Sequence, residues 1–317
     1  MEALQLRKAE RRRAKVRIGI SGPSGSGKTY SALLLAKGLV GDWSKIALID
    51  TEEGRGELYS DLGGYNYLRI RAPFNPEKFV EVMTFCEESG MEAIIIDSAT
   101  HEWDGPGGCK SINDSLAQMK YKGNTWAAWN ETTPRHDKFI YSIVQSKCHV
   151  ISTTRSKTET AMGEGKKVYK VGLKDLQRDG FEYEFTVFFN IDRETHVAMA
   201  SKDNTRIFEG KEPSIISEAT GKIIREWCES GAESLEEIEA KKKAKFRKKL
   251  IGLGEGIEEW VIKNYGPVDQ MSAKKLESIV TQLEEKKKKK EEEENAKSEP
   301  KTEDEKPKEA VTAPKKK

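Results

Sequence analysis

Residues 16–37 read VRIGISGPSGSGKTYSALLLAK, an apolar run, a glycine-rich turn and a leucine-rich helical run placed back to back. Few folds accept that order. Gly22-Pro23-Ser24-Gly25-Ser26-Gly27-Lys28-Thr29 meets the spacing G-x-x-x-x-G-K-[ST] at every position. Glycines let the backbone curl until successive N–H groups point at phosphate oxygens, and the helix that follows adds its positive N-terminal end. Lys28 is spaced to reach β- and γ-phosphates, and the Thr29 hydroxyl is spaced to ligate Mg²⁺. The expected nucleotide cradle is therefore Gly22 to Tyr30, with ATP and Mg²⁺ as its expected ligands. The strand before and the helix after it separate this loop from a chance glycine turn.

A magnesium-bound triphosphate needs a carboxylate behind the metal. EAIIIDSATHEW supplies Asp97 at the end of an isoleucine run, which fits a Walker B strand and makes Asp97 the expected second metal residue beside Thr29. Hydrolysis also needs a group that orients or deprotonates water. IALIDTEEGRG puts Asp50, Glu52 and Glu53 at the mouth of another strand, and Glu102 follows Asp97 by five residues. Glu53 reads as a surface carboxylate. Spacing alone does not choose between Glu52 and Glu102.

Strands and helices alternate along the rest of the first part of the chain. KIALID, EAIIID and HVISTT are continuous apolar runs, as strands covered on both faces should be. NPEKFVEVMTFCEESG opens with Asn75 as N-cap and Pro76 at the first helical position, and TPRHDKFIYSIVQSK repeats the pattern with Thr133 and Pro134. FEYEFTVFFNID and HVAMAS read as a β-pair, TGKIIREWCESG as a closing helix, and residues 3–15 as a charged helix. The alternation argues for an α/β fold with a mostly parallel central sheet. After Gly231 the composition turns to Lys and Glu. Ser234 and Glu237 suit a capping box, and apolar patches around Leu250, Val261 and Ile279 suit a small helical module. The expected organisation is a nucleotide-binding domain over 1–231, a helical module over 232–284 and a disordered charged tail over 285–317.

Lys+Arg is 55 against 53 for Asp+Glu, so net charge names no partner, but local clusters do more. Arg7, Lys8, Arg11, Arg12, Arg13, Lys15 and Arg17 crowd the N-terminus, and Lys241 to Lys249 form a second cluster. Either can face phosphates or simply be a solvated face. Trp103, Trp126 and Trp129 lie in or near a glycine-rich loop, where they either pack beneath it or stack on unpaired bases. His101 and His136 have neither ligand spacing nor a nucleophile partner. Cys86, Cys109, Cys148 and Cys228 lie far apart, so reduced thiols in a cytosol are expected and a zinc site is not. No apolar run reaches the roughly 18 residues of a membrane span.

The ordered set of the loop, IDTEEGRGELY, IIIDSATHEW, HVISTTRSK and LQRDGFEYEFTVFFNID resembles the RecA-like core ATPases carried by bacteriophages, some of which act in single-strand annealing and recombination. The resemblance covers about Arg7 to Trp227. It implies a RecA-like P-loop NTPase, and it places Glu52 where such proteins carry the catalytic glutamate, with Lys28 beside it as the phosphate-binding lysine. It puts Thr153 where RecA carries a γ-phosphate-sensing glutamine. It puts Arg155 to Gly172, with Lys157, Lys166, Lys167 and Lys170, where RecA has a DNA-contacting loop. Lys202 and Arg206 fall near where related ATPases send a basic finger into a neighbouring subunit, which implies a homo-oligomer with shared sites and no evident in-chain finger. Single-stranded DNA is the implied partner, and the host cytoplasm the implied location. The expected function is a Mg-dependent ATPase coupled to single-stranded DNA. The alternatives are a P-loop kinase, for which an arginine-rich lid is missing from the sequence, and a weakly hydrolysing ATP-binding scaffold.

Overall fold

The computed structural model of the protein describes residues 6, 8–162 and 168–298. The chain divides into two compact units, Met1–Ala232 and Glu233–Lys317.

The first unit is built on β1 (Arg17–Gly22), β2 (Ile46–Asp50), β3 (Asn66–Arg69), β4 (Ala93–Asp97), β5 (His149–Met162), β6 (Val168–Asp175), β7 (Val187–Ile191) and β8 (Ala198–Asp203). Their order across the sheet is β3-β2-β4-β5-β1-β7-β8, with β6 paired to β5. The β3 to β7 path is parallel throughout; β8 runs antiparallel to β7 and β6 antiparallel to β5. This is the mixed α/β, mostly parallel P-loop architecture expected. Because β5 lies between β1 and β4, the glycine loop and Asp97 end on strands two positions apart, with residues 152–155 of β5 between them.

Period-2 alternation explains the two cores. In β4, Ala93 and Ile95 face one side while Ile94 and Ile96 face the other. The first side packs on α1 (Lys28–Val40) through Leu33, Leu35 and Leu39, and on α6 (Glu218–Glu229) through Ile224. The second packs on α2 (Pro76–Glu88) and α5 (Thr125–Gln145), where Phe79 meets Phe139 edge-on with ring centroids 5.3 Å apart. Each such fully buried ring contributes about 1.5–3 kcal/mol.

Helices α1 and α6 approach until their glycines touch. A Cβ on Gly221 would sit 2.2 Å from the Leu35 carbonyl oxygen, and one on Gly38 would sit 2.1 Å from that of Glu218. Backbone cannot yield as a flexible side chain can. Gly221→Val should therefore cost at least the roughly 1–3 kcal/mol typical of overpacking, read as a lower urea midpoint. An unchanged midpoint would mean that the helices separate freely.

Several expectations need correction. Residues 8–15 are not helical. Arg12 forms a parallel bridge with Ala232, and Arg13 N–H donates to the Ala232 carbonyl at 2.7 Å. Arg11 donates to the Trp227 carbonyl at 2.6 Å and lies over the Trp227 ring, and Arg13 Nε donates to Glu229 O at 3.2 Å. These cations thus satisfy the C-terminal carbonyls of α6, where the helix dipole favours them. Helix α5 starts eight residues before Thr133, with Asn124 accepting from Ala127 N–H at 3.1 Å, and Pro134 lies inside it. The Asn124 cap and the buried face formed by Ala128, Thr132, His136 and Phe139 outweigh the one helical bond that Pro134 cannot donate. Residues Phe181–Glu184 form a 3-10 turn, so the β-pair begins only at Val187. Two short helices, α3 (Thr100–Asp104) and α4 (Cys109–Met119), occupy what reads in sequence as loop.

The second unit comprises α7 (Leu235–Gly252), α8 (Ile257–Tyr265) and α9 (Ala273–Ser298) around Leu250, Val261, Val268, Leu276 and Ile279. Ser234 and Glu237 form the reciprocal capping box at the start of α7. Ile251, Trp260 and Ile262 are exposed rather than in this core. Helix α9 runs through Ser298, into the stretch that composition alone reads as a disordered tail. Lys and Glu are good helix formers, and Lys288 with Glu292 is spaced i,i+4 at 4.0 Å. Residues 299–317 lie outside the described residues. No helix among the described residues is long and apolar enough to cross a membrane.

Candidate functional site: a phosphate cradle and its carboxylates

The loop between β1 and α1 turns through two left-handed glycines, Gly25 at φ 82° and Gly27 at φ 87°, a region other residues rarely adopt. Gly22 must also lack a side chain, since a Cβ would lie 2.5 Å from Ser26 Oγ and 2.9 Å from the Ile191 carbonyl. Lys28 is buried, and its ammonium donates to the carbonyls of Gly22 and Pro23, both at 2.9 Å. Burial pulls its pKa below the usual lysine value; Asp97 and Glu52 push back, while Arg155 and Arg55 add to the lowering. Ser26 Oγ is buried with no hydrogen-bond partner among the described residues. A buried hydroxyl without a partner, inside a curl of glycine amides, suits an anionic ligand that would occupy the curl.

Asp97 ends β4 and is 2 % exposed. The Thr29 hydroxyl donates to its Oδ2 at 2.6 Å, and the Thr153 hydroxyl donates to its Oδ1. Burial raises its pKa, opposed by these two hydrogen bonds. Thr29 and Asp97 together form a hard-oxygen pair of the kind Mg²⁺ accepts. Thr153, inside β5, is thus committed to Asp97.

Glu52 enters from the end of β2. Asp50, fully buried, accepts from Glu52 N–H at 2.5 Å, Gly56 N–H at 3.1 Å and Tyr67 O–H at 2.8 Å. Asp50 is spent on shaping the turn that presents Glu52. The Glu52 carboxylate, only 11 % exposed, takes Arg155 Nε on one oxygen at 2.8 Å and Arg55 Nη1 on the other at 3.1 Å. Burial would raise its pKa, but the Arg155 hydrogen bond and charge, then Arg55, lower it overall. Glu53 is exposed and pairs with Arg69.

Glu102 lies elsewhere. It is fully buried, accepts from Cys109 Sγ at 3.1 Å, and lies 3.0 and 3.1 Å from His136 Nδ1 through its two oxygens. Sequence spacing hides this cluster because its members come from α3, α4 and α5. The three groups could hold a metal, but their separations are those of hydrogen bonds. His101, also assigned no partner from sequence, stacks on Phe74 at 5.0 Å and shares a 2.7 Å hydrogen bond with Thr51 Oγ1.

Two more residues reach the cradle without a warning in the sequence. His196, in the turn between β7 and β8, places Nδ1 3.1 Å from the Ser26 carbonyl. Asp175, at the end of β6, hydrogen-bonds Ser21. Tyr30 is exposed at the first turn of α1, its ring 6.0 Å from that of Tyr59. Lys202 is held by the carbonyls of Glu182 and Tyr183 in its own chain, and Arg206 is exposed on a left-handed turn.

The stretch 155–172 is carried by the antiparallel β5–β6 arm; residues 163–167, including Lys166 and Lys167, lie outside the described residues, as does Arg7. Beside the base of this arm opens a cleft of about 1010 Å³, lined by Trp126, Trp129, Lys110, Lys157, Lys174 and Arg178 among others. Trp103 and Trp129 stack at 5.3 Å, and Trp126 is 85 % exposed. Gln177, in its lining, donates to the Ala99 carbonyl at 3.0 Å, two residues beyond Asp97.

A parallel sheet that ends in a glycine cradle, a buried lysine, and a Thr–Asp pair define a P-loop NTPase. Residues 14–225 match the family model described as AAA domain, and the chain belongs to that family. Among solved structures it is similar to a KaiC-like protein from the hyperthermophilic archaeon Pyrococcus horikoshii, at 15% identity and a TM-score of 0.33, covering 63% of this chain and 82% of that one. No curated protein matches the sequence.

Proposed function

We propose that this protein is a Mg-dependent ATPase that couples its nucleotide state to single-stranded DNA, in the manner of the phage recombination or replication proteins its sequence resembles. The observation that carries the ATPase reading is the convergence of Lys28, Thr29, Asp97 and Glu52 from three strand ends on one cradle. Loop amides and Lys28 bind the phosphates. Thr29 and Asp97 hold Mg²⁺, which when bound offsets phosphate charge. Glu52 orients a water and takes its proton as the water oxygen bonds to the γ-phosphorus. The bond to the β–γ bridging oxygen breaks with its electron pair leaving on ADP, and inorganic phosphate is the second product.

The DNA reading rests on the tryptophan cleft. Four basic side chains line it, three of them ion-paired (Lys110 with Asp104, Lys174 with Asp179, Arg178 with Asp137), and an exposed indole offers a stacking face. Several of the N-terminal arginines serve other ends: Arg11 and Arg13 cap α6, and Arg17 is buried on the carbonyls of Val144, Ser146 and Cys148. The cleft is therefore the better candidate surface. Binding of labelled oligothymidylate should weaken as salt rises, with a log–log slope of roughly −0.7 per phosphate contacted. Trp126→Ala should cost about 1–3 kcal/mol of binding, the usual worth of one stacked base. Affinity indifferent to both salt and Trp126→Ala would remove this surface.

A further inference from the structure

We propose that Arg155 is a catalytic residue of this ATPase: its guanidinium contacts the γ-phosphate of ATP bound to the same chain. This rests on the ATPase reading above and names a group that reading lacks.

Hydrolysis builds up charge on the γ-phosphoryl oxygens and on the leaving bridge, and a positioned cation lowers the barrier. Lys202 is held by carbonyls of its own chain. Arg155 is better placed. In the register of β5 against β1 it pairs with Gly22, the first residue of the cradle. Its N–H donates to Thr100 Oγ1 at 2.9 Å, which fixes the backbone two residues beyond Thr153. Its Nε donates to Glu52 Oε1 at 2.8 Å, so the guanidinium already stands beside the group assigned to the attacking water. In the ATPase reading Glu52 faces the attacking water, and both Glu52 and Arg155 act electrostatically on the cradle lysine Lys28, so a cation on Glu52 would stand on the γ-phosphate side of the cradle. The Arg155 side chain is long and 35 % exposed.

The pairing has a second consequence. An arginine on a carboxylate holds it ionised and weakens it as a base. A γ-phosphate competes for the same guanidinium, since phosphate also accepts the planar donor fork. Transfer of Arg155 from Glu52 to phosphate would free the base and supply the cation in one movement. Arg155 also begins the arm that borders the tryptophan cleft, and its carbonyl accepts from Leu176 N–H at 2.7 Å next to Gln177.

The test uses the full chain. Arg155→Ala should lower ATP turnover by about 10³-fold, the lower range for an arginine finger, while ATP affinity stays within a few-fold of wild type. Affinity for ADP with aluminium fluoride, which imitates the transferring phosphoryl group, should drop far more than affinity for ATP. Arg155→Lys should recover part of both losses. Mixing inactive Arg155→Ala protein with inactive Lys28→Ala protein should restore nothing, because no site in the mixture has both residues in one chain. Restored activity would show that Arg155 serves a neighbour's site and would overturn the in-chain assignment. Equal losses of ATP and ADP–aluminium fluoride affinity would make Arg155 a structural residue. Normal turnover in Arg155→Ala, with turnover lost in Glu52→Gln, would sink the inference and leave the ATPase reading standing.

Discussion

Lys28→Ala should lower ATP turnover at least roughly 100-fold and weaken nucleotide binding, with little change in thermal stability. The magnitude is what deletion of one preorganised charge-stabilising donor typically costs. Lys28 is preorganised in the relevant sense, because two loop carbonyls hold its ammonium over the cradle. Stability should change little, since the same burial that aims the ammonium also costs it solvation. Phosphate release and equilibrium binding of a fluorescent ATP analogue separate the two effects. Wild-type turnover in this variant would put the nucleotide elsewhere in the molecule.

Glu52→Gln should keep ATP binding and lose roughly 10²- to 10⁴-fold in turnover, the range for removal of a general base. The amide has nearly the same shape and can still face Arg55 and Arg155, but it cannot accept a proton from water. Glu102→Gln makes the contrasting control. Glu102 is enclosed by Cys109, His136 and Gln177, so its substitution should lower the melting temperature more than it lowers turnover per folded molecule. The reverse pattern, with Glu102→Gln folded and inactive and Glu52→Gln active, would exchange the two assignments.

How much of this was readable in advance depends on how local each signal is. The cradle was legible residue by residue because its chemistry is contiguous: glycines that permit the curl, then lysine and threonine at the helix start. Strands β1, β2, β4 and β5 were legible because burial on both faces demands unbroken apolar runs. The N-terminal arginines misled. A charged run at helical spacing is indistinguishable from a solvated helix until its partners are known, and those partners are carbonyls of Trp227 and Glu229 more than 200 residues away. Pro134 misled for a related reason. Its usual place at a helix start is a preference of about 3 kcal/mol, and the Asn124 cap together with the buried face of α5 overrides it. Glu52 could not be separated from Glu102 by spacing, because what distinguishes them is which one Asp50 and Arg155 hold beside Lys28. The cleft was legible only in pieces, Trp103, Trp126, Trp129 and Lys157 each being candidates without a sign that they meet. It brings Lys110 and Trp126 from one segment against Lys174 and Arg178 from another, beside the β5–β6 pair.

If ATP hydrolysis is linked to single-stranded DNA through the β5–β6 arm, DNA should change turnover. Steady-state phosphate release from the full-length wild-type chain in Mg-ATP, with and without single-stranded oligonucleotide, tests it most directly. The account predicts turnover that requires Mg²⁺ and rises when the oligonucleotide is added. Turnover that is the same with and without DNA, in protein that binds and hydrolyses ATP normally, would contradict it.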